Sequence, residues 1–557
     1  MHRHFLRDSF LQASLSVSLF IWKKMRGLLA NRLPRIVRMI ILGLELSTPI
    51  RDAEITLLRC LTFTVVFGAA TTGLLGGAVA KAEVAFDLYS IDLTGDMERR
   101  VLVVDSPGPV DDLYLVETHE ENRDRALTRF AFADGWHAVL EKPLPRDIQA
   151  LDVASINGVR ELVVYQDQSL KRIRGDDFDA ILAIPSMFQG ESTALSLKMD
   201  LMVDLNGDDN DDVVMPAFDG WWTALQGAGG EFSSPARFGP AAKMGARSAR
   251  HVYFQASEPY YLDHNLDGLV DVGFWQDGAL GVYQQQAGGR FADVAKIVGE
   301  PDEQIKEGLM QVSIGQNADN ETGQQKLINA VDDLDGDGIE DMLMMVVEGD
   351  GPFSMSAHFE VHRGFRNRGG ELEFEKVSSS TVAPGGIPIG NERKDVDGNG
   401  TSELLLTSFR FGIGTIIRAL ITRSGTLNLG IYQMEDGKYS SRPVISRKLT
   451  ATLDLSDGEV YVPSVLFADI DGDGKKDLMI QEDEDEVLVY RGVGGDGLFA
   501  DDEETLRLGL PQGDDMVQVT DINGDGTDDL ILLFSKRGEE RIDVVMFRPS
   551  ARVAQTR

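Results

Sequence analysis

The chain has 557 residues, of which 43% are hydrophobic and 8% aromatic. That is enough apolar material for several domains or one large repetitive one, and it excludes wholesale disorder and a collagen-like rod. Of 54 basic and 90 acidic residues, positions 1–82 hold 11 and 4, which leaves the rest of the chain at a formal charge of −43. Such a body repels nucleic acid and anionic membranes and suits divalent cations. The single Cys60 rules out an intramolecular disulfide framework and a Cys-based zinc site.

Residues 61–80, LTFTVVFGAATTGLLGGAVA, are uncharged, follow Arg59 and run into Ala80-Lys81-Ala82. This pattern predicts a secretory signal cleaved near Ala82, and its length leaves a retained membrane anchor open as the alternative. The preceding stretch, with Pro34 and a second apolar patch at 39–44, is too long for a signal n-region, so translation from Met25 or Met39 is an alternative start. The expected division is 1–82 as N-terminal extension and 83–557 as the folded body. The expected location is secreted, periplasmic or on the cell surface, with membrane contact only through a retained anchor.

Along the body one nonapeptide recurs between short apolar runs: DLNGDDNDD from Asp204, DHNLDGLVD from Asp263, DLDGDGIED from Asp333, DVDGNGTSE from Asp395, DIDGDGKKD from Asp469 and DINGDGTDD from Asp521. A decayed copy, DLTGDMERR, starts at Asp92 and a shortened one, SINGVRE, at Ser155. The copies lie about 61 residues apart, the length of one four-stranded sheet with its turns. The flanks are strand-like, as in VPSVLFADI before one loop and DLMIQ after it. After each loop comes a Gly turn closed by an aromatic, at Phe232, Phe291, Phe374, Tyr439 and Phe499, read as the start of a further strand. The prediction is an all-β fold, a β-propeller of about eight four-stranded blades with seven as the alternative, and with the acidic loops between blade strands. The last blade ends early; its fourth strand is either missing or supplied by the segment EVAFD from Glu83.

The loop chemistry points to calcium, a hard cation that takes six to eight oxygens. Positions 1, 3 and 5 are Asp or Asn in every good copy: Asp204, Asn206 and Asp208; Asp263, Asn265 and Asp267; Asp333, Asp335 and Asp337; Asp395, Asp397 and Asn399; Asp469, Asp471 and Asp473; Asp521, Asn523 and Asp525. Position 7, expected to present its backbone carbonyl, varies freely: Asn210, Leu269, Ile339, Thr401, Lys475 and Thr527. Position 9 is acidic each time: Asp212, Asp271, Asp341, Glu403, Asp477 and Asp529. DG-rich hairpin turns alone would account for the glycines but not for that constant acid. An EF-hand is excluded because position 12 is apolar, Met215, Phe274, Met344, Leu406, Ile480 and Leu532. About six calcium sites are expected, the Asp204 and Asp263 loops being the weakest because Asp209 stands for Gly at position 6 and Leu266 for Gly at position 4.

The loop D-x-D-G-D-G-x-x-D, the apolar strand after it and the Gly turn with its aromatic resemble the FG-GAP and VCBS repeats of the integrin alpha-chain propeller. The resemblance covers roughly 83–557 and implies a calcium-bearing propeller used in adhesion or ligand recognition. The FG and GAP peptides themselves are poorly kept, so receptor function does not follow from it. No HExxH, GxSxG or phosphate-binding loop occurs. His358 and His362 share one strand face; Arg174-Gly175-Asp176 spells an integrin-ligand tripeptide and reads as an ordinary turn; Trp221, Trp222 and Trp275 read as blade-interface fillers; 301–326 reads as a long rim loop. The function expected is a non-catalytic recognition or adhesion module for a protein or glycan. The alternative is a calcium-dependent polysaccharide lyase, for which Lys243, Arg247, Arg250 and His251 supply basic groups without a visible point of convergence.

Overall fold

The computed structural model describes residues 84–549 apart from short interior stretches, of which 307–323 is the longest. The expected signal, its cleavage site, residues Gly175 and Asp176 of the tripeptide, most of 301–326, and Arg250 lie outside the described residues.

The strands assemble into eight antiparallel sheets, taken up in chain order, each built on four strands. Blade 1 is Asp96–Val104, Asp112–Thr118, Arg125–Phe132 and Trp136–Leu144; blade 2 is Ile148–Ile156, Val159–Gln166, Ser169–Arg174 and Asp177–Ala183. Blades 3 to 7 follow with the same meander, and two of them carry an added edge strand, Ile305–Lys306 in blade 5 and Val460–Tyr461 in blade 6. Blade 8 is closed by the chain's own beginning. Phe86–Asp92 pairs with Arg541–Phe547 over seven residues, from Phe86 opposite Phe547 to Asp92 opposite Arg541. The open question of the fourth strand is thereby answered, and the ring has no free edge at its seam.

Each blade buries both faces, so the second strands lose the polar alternation of a one-sided sheet; Asp212–Ala217 is buried at every position. The core is correspondingly divided by blade interface. Val101 and Leu113 of blade 1 pack with Ile531 and Val544 of blade 8, and Leu478 and Tyr490 of blade 7 pack with Leu405 and Ile431 of blade 6. Trp221 and Trp275 fill interfaces as expected: Trp221 lies 5.6 Å from Phe274 of the next blade, and both indoles are buried.

Two sequence readings need correction. The Asp92 copy is not the loop of blade 1; it spans the crossing from the outer strand of blade 8 to the first strand of blade 1. Also, the aromatics after the Gly turns mostly close small separate hairpins, such as Gln285–Gln286 with Arg290–Phe291 and Met434–Glu435 with Lys438–Tyr439. Their rings cap blade interfaces, and the true fourth strands follow later; only Phe499 opens one itself.

Candidate metal centres on the ring

All six full nonapeptides join the first strand of a blade to the second, so they share one rim of the ring. The register is constant: the residue before position 1 pairs with position 9, as Val203 with Asp212, Asp332 with Asp341 and Ala468 with Asp477. The Ser155 copy occupies the same place in blade 2, reduced to the two-residue turn Asn157-Gly158 with both φ positive. Blade 1 has at this place a loop the nonapeptide pattern missed, from Asp105 to Asp112. It is one residue shorter than the others, and Asp112 is held by Arg129 at 2.6 Å.

Within each good loop the position 1 carboxylate gathers the backbone. Asp333 accepts from Gly336 N at 2.8 Å and Gly338 N at 3.0 Å, and Asp469, Asp395 and Asp521 do the same in their loops. The position 5 side chain accepts the position 7 amide in all six, at 2.7 to 2.9 Å. Positions 4 and 6 are left-handed throughout. Asp209 (φ 65°) and Leu266 (φ 57°) adopt that conformation without being glycine. A left-handed Leu costs about 1–2 kcal/mol, and Leu266 is exposed, so it recovers nothing by burial. The Leu266→Gly variant is expected to be more stable by about 0.5–1 kcal/mol, after the entropy cost of glycine; a denaturant midpoint that falls instead would contradict this strain.

Position 9 is the buried member. Asp212 accepts from Gln226 N at 2.7 Å and Leu205 N at 3.1 Å, and Asp529 from Phe547 N at 2.9 Å and Ile522 N at 3.0 Å. Burial pushes Asp212, Asp271, Asp341, Glu403, Asp477 and Asp529 each up to about 7. Asp341 and Glu403 are likewise buried among backbone amides, with Gly364 and Leu334 favouring the ionised form of the first and Val396 and Met434 that of the second. Carboxylate oxygens of Asp333, Asp335 and Asp341 converge within 4.8 Å, as do those of Asp395, Asp397 and Glu403 and those of Asp469, Asp471 and Asp473. These are groups able to hold a metal ion. In the other three loops position 3 is asparagine, and its amide donates to the position 5 carboxylate: Asn206 to Asp208, Asn265 to Asp267 and Asn523 to Asp525, at 3.0 to 3.2 Å.

The loops differ in their carboxylate count at the candidate ligand positions. Two of them, at Asp333 and Asp469, have four carboxylates at positions 1, 3, 5 and 9, and the other four have three. In those two an arginine stands opposite position 9. Arg363 meets Asp335 at 2.5 Å and Asp337 at 3.2 Å, and Arg491 meets Asp477 at 3.1 Å and Asp471 at 3.4 Å. The other loops have Leu225, Gln284, Gln433 and Met546 at that place in the register. Over the whole nonapeptides the charge varies, because Asp209, Asp211, Glu340 and Asp528 add to it and Lys475 and Lys476 offset it.

Position 8 fastens each loop to its neighbour, a role the sequence pattern did not reveal. Its amide donates to a loop carbonyl of the preceding blade: Val270 to Leu205, Ser402 to Leu334, Lys476 to Val396 and Asp528 to Asp469, at 2.7 to 3.2 Å, and Asp111 of blade 1 reaches Ile522 of blade 8 at 2.9 Å. Where position 8 is acidic its side chain reaches back as well, Asp211 to Ser155 N, Glu340 to Asp263 N and Asp528 to Asp469 N, at 2.6 to 2.7 Å. The rim is therefore a belt of linked loops. His358 and His362 flank Glu360 at 3.3 and 3.5 Å on one face of blade 5, yet through different carboxylate oxygens, and they form no three-ligand group.

Comparison with curated proteins finds no match. Among solved structures, the chain is similar to an Agrocybe aegerita lectin with specific recognition of non-reducing terminal N-acetylglucosamine (14% identity, TM-score 0.37, 73% of this chain and 94% of that one). It is also similar to the V. cholerae biofilm matrix protein Bap1 (12% identity, TM-score 0.33, 83% and 91%) and to the Dos1 propeller (9% identity, TM-score 0.29, 83% and 95%). Residues 469–532, from the acidic loop of blade 7 through that of blade 8, match the model of the FG-GAP-like repeat, so the chain carries such a repeat in its last two blades.

Proposed function

We infer that this protein is a calcium-braced propeller acting outside the cytoplasm or at the cell surface as a non-catalytic recognition module for a protein or glycan. The observation that supports the metal half is the convergence of three carboxylates within 4.8 Å in each of the Asp333, Asp395 and Asp469 loops. A bound cation offsets the repulsion among those carboxylates, and turn geometry alone does not require them to converge. Positions 1, 3, 5 and 9 would hold it through side chains and position 7 through its carbonyl, and the ion would supply charge neutralisation. The recognition half rests on the frame: loops hung from strands locked on both faces form a rigid rim on which binding groups stay placed.

Equilibrium dialysis in about 1 mM calcium, read as the excess calcium in the protein compartment, is expected to give about six equivalents. Fewer than about three would reject the metal half. The partner class is tested on a glycan array and on uronic-acid polysaccharides, where retention without ultraviolet absorbance from an unsaturated product is expected; growth of that absorbance would establish a lyase instead.

A further inference from the structure

Among the six loops, a fourth carboxylate at the candidate ligand positions and an arginine opposite position 9 occur together or not at all. The Asp333 and Asp469 loops have both, and the other four have neither. Each arginine is followed by a glycine, Gly364 and Gly492, where the other blades have Gln226, Gln285, Met434 and Phe547. The glycine amide donates to the position 9 carboxylate at 2.8 Å in both blades. A Cβ at either glycine would collide with the position 8 carbonyl, that of Glu340 in blade 5 and that of Lys476 in blade 7. The missing side chain lets the chain at the end of the third strand lie flat on the loop, and the arginine before it is thereby delivered to the carboxylates.

The contacts are those of a cation among anionic ligands. Arg363 reaches positions 3 and 5 of its loop, and Arg491 reaches positions 3 and 9 of its own. Both therefore engage position 3, which is aspartate here and asparagine in three of the four loops without an arginine. The extra negative charge and its counter-charge arrive at the same place. Gly437, in the small hairpin of blade 6, covers the Arg363–Asp335 pair so closely that a Cβ there would strike both side chains. Arg491 is held in addition by Glu504 at 3.4 Å. The two lysines of the Asp469 loop are engaged elsewhere, Lys475 with Val493 O at 2.9 Å and Lys476 with Asp528 at 2.7 Å.

Resting on calcium as the ligand of the loops, we propose that Arg363 and Arg491 are resident counter-ions: they keep the loops of blades 5 and 7 braced when calcium is withdrawn, and they lower the affinity of those two loops for it. A guanidinium stays charged at any pH the folded protein meets and forks onto two carboxylates, so it relieves their repulsion without an external ion. The same charge opposes a second cation on the carboxylates it shares. The belt thus contains two kinds of loop. At Asp204, Asp263, Asp395 and Asp521 relief of the repulsion is left to the ion, whereas at Asp333 and Asp469 it is built into the chain.

The test is calorimetric melting of the full chain near pH 8, in EDTA and in about 10 mM calcium, for the wild type, Arg363→Met, Arg491→Met and Arg129→Met. In EDTA each of the first two variants is expected to melt about 3–5 °C below the wild type, because four carboxylates are left without a cation. In calcium each should melt within about 1 °C of it, with half-saturation of the stabilisation at about tenfold lower calcium. Arg129 pairs with Asp112 in blade 1, where no full nonapeptide stands, so its variant should lose equally in both buffers. Arg363→Met/Asp335→Asn, which gives the loop the asparagine of its neighbours, should recover the melt in EDTA, and it keeps the test valid if Arg363→Met does not fold. Equal losses in EDTA and calcium for the Arg363 and Arg491 variants, or no loss in EDTA, would reduce both arginines to ordinary ion pairs and overturn the proposal alone, provided calcium still raises the wild type and Arg129→Met. If calcium raises none of the proteins, the calcium reading falls and the proposal with it.

Discussion

Stripping the protein of divalent cations is expected to lower its melting temperature by about 8 °C at neutral pH. With a dissociation constant near 0.1 mM in about 1 mM calcium, mass action contributes roughly 1.4 kcal/mol per loop and about 8 kcal/mol for six. The unfolding entropy of a ring this size is of order 1 kcal/mol per kelvin, which converts that sum to the shift. The effect should also depend on pH in a defined direction. In the ion-free protein the six position 9 carboxyls titrate near 7 when folded, against 3.8 or 4.5 ordinarily. Between those values the folded state binds more protons than the unfolded one, so ion-free stability falls as pH rises from about 4 to about 7. Calcium holds the same groups ionised and removes that decline. The gap between loaded and stripped protein should thus be wider at pH 8 than at pH 5. Calorimetric melts of both forms at the two pH values measure it, and an equal gap would mean that position 9 does not see the ion.

The belt of position 8 contacts gives this prediction a further consequence. Five of the six loops donate the position 8 amide to a carbonyl of the preceding blade, and the sixth is tied by Glu340 to Asp263 N, so a splayed loop withdraws support from the blade before it. Loss of the ion should therefore be felt as one cooperative transition of the ring, not as six local ones, which is also why the conversion above uses the entropy of the whole body.

The architecture was largely legible in the chain because its unit repeats: the spacing of six acidic nonapeptides gave the blade length, and the length of the body divided by it gave eight. Position 9 was legible too, since a buried acid in an otherwise apolar strand stands out. What could not be read is what depends on residues far apart in sequence. Phe86–Asp92 looks like the opening of the first unit, and only its pairing with Arg541–Phe547 shows that Asp92 belongs to the last. Arg363 sits just past the third strand of its blade and Arg491 near the end of its own, so their place beside the four-carboxylate loops appears only in the folded register. Asp105–Asp112 escaped because a loop one residue shorter breaks the nine-residue pattern while keeping the strand pairing. Lys243 and Arg247 looked scattered until the pairing of Lys243–Ser248 with His251–Gln255 placed them on one two-stranded sheet.

A chain that begins at Leu93 is expected to lose more stability than the chelated protein does. Removing Phe86–Asp92 strips seven paired residues from Arg541–Phe547, together with the two-oxygen grip of Arg548 on Asp87 at 2.7 Å and the packing of Phe86 on Phe547 at 5.8 Å. It also opens the seam between blades 8 and 1, where Tyr89 meets Phe132 at 5.2 Å and Phe132 meets Trp136 at 5.4 Å. The polar ties left there, Gln518 bonded to both the N–H and the C=O of Val101 at 2.7 and 3.0 Å and Asp111 N to Ile522 O at 2.9 Å, join only the inner strands and their loops. At about 1 kcal/mol per ladder bond plus the exposed apolar area, the loss is on the order of 10 kcal/mol. The bared edge of Arg541–Phe547, buried at six of its seven positions in the intact ring, then becomes a template for another chain. Light scattering should show dimers or larger species, and a synthetic peptide of residues 84–93 added in excess should restore a monodisperse protein with the original melt. If the shortened chain stays monomeric and melts unchanged, the seam strand is ornamental, and ring closure must reside in the interblade core of Val101, Leu113, Ile531 and Val544 alone.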